Sequence, residues 1–256
     1  MCGIAGMLHF DGRPADATAM RAMTDTLAHR GPDDSGVYAR GPAALGHRRL
    51  SIIDLSPAGR QPMANEDGAV FVTYNGEIYN YLDIKRELQD AGHVFRSNTD
   101  TEVIVHAYEE WGTDCVHRFN GMFAFAIWDE PRNRLWLVRD RMGIKPLFYA
   151  ALPDGIVFGS EIKAVLAAPC VPREPDNEAL SLYLQLNWMP APRTLLKHVR
   201  QLEPGEFLLA DTGGSVRKTT YWDLEFREGE RWSEREWAEA FQERIEDAVR
   251  LRLVSD

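Results

Sequence analysis

Cysteine is scarce in this sequence. Cys2, Cys115 and Cys170 are the only three among 256 residues, and they lie far apart. An odd, scattered set argues against a disulfide framework and for a reducing compartment, the cytoplasm. No Cys-x-x-Cys pair occurs, and the seven histidines have no zinc-like spacing, so no metal is expected. No apolar run approaches the roughly 18–20 residues a membrane helix needs. The N-terminus also lacks the basic-then-apolar pattern of a secretory signal. A net charge of −10 speaks against a general nucleic-acid or anionic-membrane surface. Internal repeats and low-complexity tracts are absent. The only paired glycines near a turn, Gly213-Gly214, lack the Lys and Ser/Thr context of a phosphate-binding loop.

What remains is an ordinary globular composition, 45% hydrophobic and 27% charged, long enough for one large domain with an appendage. Gly3 to Phe10 reads as a short buried strand. Helical spacing follows over Ala15 to His29, stopped by Arg30-Gly31-Pro32. Short strand-like runs come next: Gly36 to Tyr38, Ala43 to His47, Leu50 to Ile53 and Val70 to Tyr74. Helices are predicted over Tyr81 to Ala91 and Thr101 to Trp111, each ended by glycine. Strands are predicted over Met122–Trp128, Arg134–Val138, Leu147–Ala150 and Gly155–Gly159, the first two forming a hairpin. Antiparallel strands alternating with blocks of helix suggest an α+β fold. From about Ala210 the character changes. Asp211 to Ser215 is turn chemistry, Trp222 to Gly229 resembles a linker, and Ser233 to Leu253 is an amphipathic helix. That helix has Trp237, Phe241, Ile245 and Val249 on one face and a Ser233/Glu236 capping box.

Cys2 is the most informative residue. Removal of Met1 would leave a thiol and a primary amine on one residue, with reference pKa values of roughly 8.5 and 7.7–8.0. The amine could then serve as the thiol's own general base. Asn75-Gly76-Glu77, directly after a strand-like run, offers a side-chain amide and a closely approachable backbone N–H, the two donors of an oxyanion hole. An Asn-Gly hairpin turn is the plain alternative. Arg49 precedes an apolar run and suits bidentate binding of a carboxylate; a surface arginine is its plain alternative. Asp100 heads a helix, as an N-terminal acid or as the partner of a substrate ammonium.

Taken together, these blocks resemble a known family. Met1-Cys2-Gly3-Ile4-Ala5-Gly6 and His29-Arg30-Gly31-Pro32-Asp33 resemble the N-terminal blocks of class II glutamine amidotransferases, which are N-terminal-nucleophile hydrolases. Arg49 to Asp54, Gln61-Pro62-Met63, Tyr74 to Tyr81, Gly121 to Ala126 and Arg139 to Tyr149 resemble the asparagine synthetase branch. The resemblance covers essentially the whole chain, in the family's order. It implies a four-layer αββα sandwich of two antiparallel sheets, with the glutaminase domain over 2–210. Residues 211–256 would be a linker and the first helix of an ATP-dependent synthetase domain. Cys2 would attack the side-chain amide of L-glutamine, with Asn75 and Gly76 as oxyanion donors. Arg49 would bind the α-carboxylate, Asp100 and Glu77 the α-ammonium, and the backbone of Leu50, Ser51, Ile52 and Ile53 would line the pocket.

Ammonia would pass to a synthetase domain that converts aspartate to asparagine, along a passage walled by Met122–Trp128 and the Met142–Lys145 turn. The synthetase signature Ser-Gly-Gly-x-Asp-Ser is absent from the sequence, so no cofactor is expected in this chain and Mg-ATP only in the synthetase domain. A homodimer is compatible with the resemblance; nucleic-acid and membrane partners are not expected. Two alternatives stand beside this reading: the same glutaminase feeding a different carboxylate acceptor, and a catalytically silent scaffold domain.

Overall fold

The computed structural model describes residues 1–226, 229 and 232–253. In chain order the strands are β1 (Gly3–His9), β2 (Asp34–Arg40), β3 (Ala43–Arg49), β4 (Met63–Ala64), β5 (Val70–Ile78), β6 (Gly121–Asp129), β7 (Arg134–Arg139), β8 (Phe148–Leu152), β9 (Gly155–Gly159), β10 (Arg200–Gln201), β11 (Glu206–Asp211) and β12 (Val216–Thr220). The helices are α1 (Ala17–Asp25), α2 (Tyr81–Asp90), α3 (Asp100–Trp111), α4 (Ile162–Leu166), α5 (Asn177–Leu186) and α6 (Glu234–Leu251). The strands form two six-stranded antiparallel sheets, ordered β10-β8-β9-β1-β3-β2 and β12-β11-β7-β6-β5-β4.

Side-chain alternation explains why these sheets stack. A strand presents successive residues to opposite faces, and the central strands are apolar on both. In β6, Ala124, Ala126 and Trp128 join a core with Ile4 and Leu8 of β1, between the sheets. Phe123, Phe125 and Ile127 point the other way, into a core with Val103, Ile104 and Ala107 of α3. Ala5 and Met7 of β1 meet Met20 and Met23 of α1 in a third core. Three apolar interfaces require four layers, helix–sheet–sheet–helix, as expected for the α+β sandwich.

Most expected elements are present, and three differ. Leu50 to Ile53 is a loop, not a strand. The Leu50 N–H and carbonyl contact the Cys2 sulfur and the Ser51 N–H donates to Asp33, so this backbone is used locally instead of in a sheet. Second, β5 continues through Asn75, Gly76 and Glu77 to Ile78, each paired with β6, which removes the hairpin-turn alternative. A Cβ at Gly76 would lie 2.4 Å from the Met122 carbonyl oxygen, so only glycine fits that register. Third, the second sheet runs past Ala210. Strand β12 pairs with β11, and the Tyr221 hydroxyl donates to the Arg139 carbonyl at 2.8 Å.

The linker expected over 222–229 is described only in part, since Arg227 and Glu228 lie outside the described residues. In α6 the predicted capping box is formed by Ser233 and Glu236, and Trp237, Phe241, Ile245 and Val249 remain exposed. None of the described residues forms a helix long and apolar enough to cross a membrane.

Candidate active site

The first strand carries Cys2 to the edge of a cleft between the sheets. The Ile4 N–H donates to Ser160 Oγ and the Ile4 carbonyl accepts from the Ser160 N–H, while Arg30 Nε donates to the Cys2 carbonyl at 2.9 Å. The β1–β3 register pairs Gly3 with Arg48, which sets Cys2 beside Arg49 and Leu50. The two sheets are tied together just beneath. Thr73 Oγ1 donates to the Gly46 carbonyl at 3.1 Å, and His47 Nε2 lies 3.0 Å from the Tyr74 carbonyl. Burial pushes the His47 pKa down to about 4, so the imidazole is neutral and donates here. Arg49 at the end of β3 and Asn75 in β5 are thereby fixed relative to each other.

One cleft is lined by Cys2, Arg49, Leu50, Ile52, Ile53, Asn75, Gly76, Glu77 and Asp100. Nine of the ten residues expected from the sequence therefore converge. Ser51 does not line it, because its backbone N–H is committed to Asp33 at 2.8 Å. Cys2 Sγ lies 3.4 Å from the Leu50 nitrogen and 3.6 Å from its carbonyl oxygen. Burial raises the thiol pKa, while the Leu50 N–H and the Met1 amine favour the thiolate.

Among the described residues, the Asn75 Nδ2 is buried without a hydrogen-bond partner. A buried donor left unpaired costs about 1–3 kcal/mol, so its position on the cleft wall suits an acceptor arriving with a ligand. Arg49 is no surface residue. It is buried, its guanidinium donating to the carbonyls of Ser56 (3.0 Å) and Asp54. Gly59 packs under it, where a Cβ would lie 2.1 Å from Nη2.

Asp100, also buried, accepts from the Tyr74 hydroxyl at 2.7 Å and the Ile78 N–H at 3.0 Å. Burial raises its pKa despite those bonds, and burial and the Asp100 charge raise that of Glu77. The cleft is thus polarised, with a guanidinium and two carboxylates on its walls and the thiol and amide alongside.

Sequence reasoning assigned no role to Gln61 and gave Lys145 one only as part of a turn walling the ammonia passage; both line the cleft. Gln61 bridges the Tyr74 N–H (2.7 Å) and Thr101 Oγ1 (3.1 Å); its only sequence signal is the Gln61-Pro62-Met63 block. Away from the cleft, Glu66, His93 and His106 could together hold a metal ion, a grouping invisible in their spacing. His106 Nδ1 lies 3.0 Å from Glu109, and its pKa is raised to about 9 by Glu102 and Glu109 against the effect of burial. A protonated imidazole already serves those carboxylates.

Comparison with known proteins agrees with this geometry. A family profile described as "Glutamine amidotransferase domain" matches residues 1–222. "Asparagine synthetase [glutamine-hydrolyzing] 3" of Bacillus subtilis is 40% identical over all of this chain and 42% of its own length. "Amidase chry2" of Gibberella zeae is 35% identical over all of this chain and 40% of its own length. The chain therefore spans about four tenths of these relatives. Among solved structures, the glutamine phosphoribosylpyrophosphate amidotransferase of Bacillus subtilis shares the fold. Its TM-score is 0.65 at 19% identity, over 86% of this chain and 49% of that one. The chain belongs to the class II glutamine amidotransferase domain family and is homologous to the glutamine-hydrolysing asparagine synthetases.

Proposed function

We propose that this domain hydrolyses the side-chain amide of L-glutamine at Cys2, once Met1 has been removed. The observation that carries the reading is the unpaired Asn75 amide set in the same cleft as a thiol, a buried guanidinium and two acids. Glutamine is a zwitterion with an amide at its far end. Its α-carboxylate matches the charge of Arg49, which lines the cleft, and its α-ammonium matches Asp100 and Glu77. The amide carbonyl is then left for Cys2.

The Cys2 thiol gives its proton to its own α-amine as the sulfur–carbon bond forms. Asn75 Nδ2 and the Gly76 N–H donate to the resulting oxyanion. Collapse breaks the carbon–nitrogen bond, and the α-ammonium returns the proton to the leaving ammonia. Water then attacks the γ-glutamyl thioester, the amine again taking a proton, and glutamate leaves with the thiol restored.

We further infer that the ammonia serves an ATP-dependent synthetase domain with aspartate as the acceptor. Because β12 is paired into the second sheet, only the part after residue 222 of the expected 211–256 segment is taken as the linker and first helix of that domain. The homology to asparagine synthetases supports this acceptor. The similar identity to a relative named an amidase supports the second reading, a different carboxylate acceptor.

The test is an intact mass on the same sample as a glutamate-release assay. Loss of one methionine with glutamate production that disappears in Cys2→Ala supports the reading. Processed protein that releases no glutamate, alone or joined to a synthetase domain, would overturn it in favour of a scaffold.

A further inference from the structure

Lys145 is a buried cation whose ammonium, among the described residues, makes no hydrogen bond or ion pair. Burying a charge without a partner is unfavourable, and the fold goes to some length to do so. The turn from Asp140 to Lys145 is wound around one carboxylate. Asp140 Oδ1 accepts from the N–H groups of Met142 and Ile144, and Oδ2 from those of Phe123 and Lys145, all at 3.0–3.1 Å. Arg139 fastens the outside of the turn, donating to the carbonyls of Lys145 (2.9 Å), Gly143 (2.6 Å) and Leu202 (2.6 Å). Gly143, at φ +64°, allows the sharp reversal. A turn so fully bonded through its backbone leaves the Lys145 side chain with one destination, the wall of the cleft that also holds Cys2.

We propose that Lys145 tunes the nucleophile electrostatically, holding the Cys2 α-amine in its free-base form and favouring the thiolate. The proposal rests on Cys2 being the nucleophile and adds a group to its activation. An amine can accept the thiol proton only when it is itself unprotonated, and a nearby cation opposes protonation of the amine while stabilising the anionic sulfur. The amine that stands here while Met1 is attached, one residue ahead of the proposed base, has its pKa lowered chiefly by burial; Arg30 and Lys145 act in the same sense, and Cys2 and Asp33 oppose them.

The other charges that act here come from every surrounding element. Arg49 at the end of β3 favours the thiolate, and Asp100 on α3 disfavours it. Arg30 is partly engaged by Glu161 at 3.1 Å. Lys145 itself is acted on by Glu77 of β5, Asp140 and Arg30, and Glu77 is acted on in turn by Arg252. Of the cations near the sulfur, Arg49 is tied to backbone carbonyls and Arg30 to Glu161, while Lys145 is engaged by no hydrogen bond among the described residues.

The experiment compares processed wild type, Lys145→Met and Lys145→Arg in the whole protein. Two quantities are read: the pH dependence of glutaminase kcat/KM, and the pH dependence of iodoacetamide alkylation at Cys2, located by peptide mass. Met keeps the length of the side chain and the backbone bonds of the turn, and it relieves an unpaired charge, so its Tm should not fall. Both the acid limb and the alkylation midpoint should move up by ~0.5–1 pH unit in Lys145→Met and return in Lys145→Arg. A rate loss with both profiles unmoved, or free ammonium leakage as the only change, would overturn the proposal. Should Lys145→Met not fold, Glu77→Gln supplies the test: with that anion gone, the alkylation midpoint should move down, and an unmoved midpoint refutes the electrostatic picture. Failure of Cys2 itself would be visible separately, as wild-type protein without Cys2-dependent glutamate release.

Discussion

Replacing Asn75 with alanine separates what the cleft does for catalysis from what it does for folding. The side-chain Nδ2 is buried and bonded to no described residue, so the folded protein loses no hydrogen bond from that nitrogen. An unpaired buried donor costs about 1–3 kcal/mol. Its removal should therefore leave Tm unchanged or slightly raised, since the space opened adjoins a cleft that water can fill. Catalysis should respond in the opposite sense. Loss of one oxyanion donor costs about 2.7–4 kcal/mol in the transition state, a drop of ~10²–10³ in kcat. KM should change little, because Arg49, Asp100 and Glu77 would hold the amino-acid end. Alkylation of Cys2 should be unaffected, since the thiol and its amine are untouched. Asn75→Asp should be worse than alanine, placing a carboxylate of the same shape beside the developing oxyanion. The assay is steady-state glutamate release with a parallel thermal melt. Wild-type kcat in Asn75→Ala would refute the oxyanion role. A kcat loss matched by a fall in Tm would show that the amide is structural.

Two further outcomes follow from other parts of the fold. In Gly76→Ala the new Cβ meets the Met122 carbonyl oxygen within the β5–β6 ladder, so stability should fall by about 1–3 kcal/mol. Thermal melting would show this, and glutaminase activity should fall with it as the Gly76 N–H is displaced. For His106, the folded-state pKa is raised to about 9 from an ordinary value near 6.5. Stability from this group is fully present below about pH 6.5 and is lost as pH rises through about 9. His106→Gln should abolish that alkaline decline in a pH series of melts, and an unchanged slope would contradict the charged-imidazole assignment.

The legibility of the fold varied with how locally each feature is determined. Helices α2 and α3 were readable because their apolar spacing and terminal glycines are local signals, and the α6 capping box is four residues of sequence. Leu50 to Ile53 misled because four consecutive residues, mostly apolar, fit either a buried strand or a cleft-lining loop. The contacts of Leu50 with Cys2 and of Ser51 with Asp33, which decide the matter, span long stretches of chain. The end of β5 is hidden for a similar reason: Asn75-Gly76 can also read as a turn, so the strand expected to stop at Tyr74 runs on to Ile78 only through its pairing with β6, including Ala124 and Phe123. Within the site, charge and nucleophile type could be read residue by residue. The freedom of Lys145 could not, since being unpaired depends on everything around a side chain. Glu66, His93 and His106 were missed likewise, because they are brought together only by the packing of three separate segments.

Strand β1 sits between β3 and β9, and its partner residues Gly155–Gly159 are made long after it. At roughly 5–20 residues per second of synthesis, the first strand waits on the order of 10–30 s before both neighbours exist. Through that interval β1 can pair with β3 but lacks β9, so one of its two edges is unpaired. In the finished fold Met1 still has 55% of its surface exposed, yet it also forms part of the cleft wall, and the Cys2 carbonyl is clamped by Arg30. If Met1 is removed as proposed, removal is geometrically easier before the cleft closes around it. A tag fused ahead of Met1 would keep residue 2 in a peptide bond and obstruct the mouth of the cleft, so on the proposed mechanism the folded protein would lack its base. A carboxy-terminal tag would leave the amino end free.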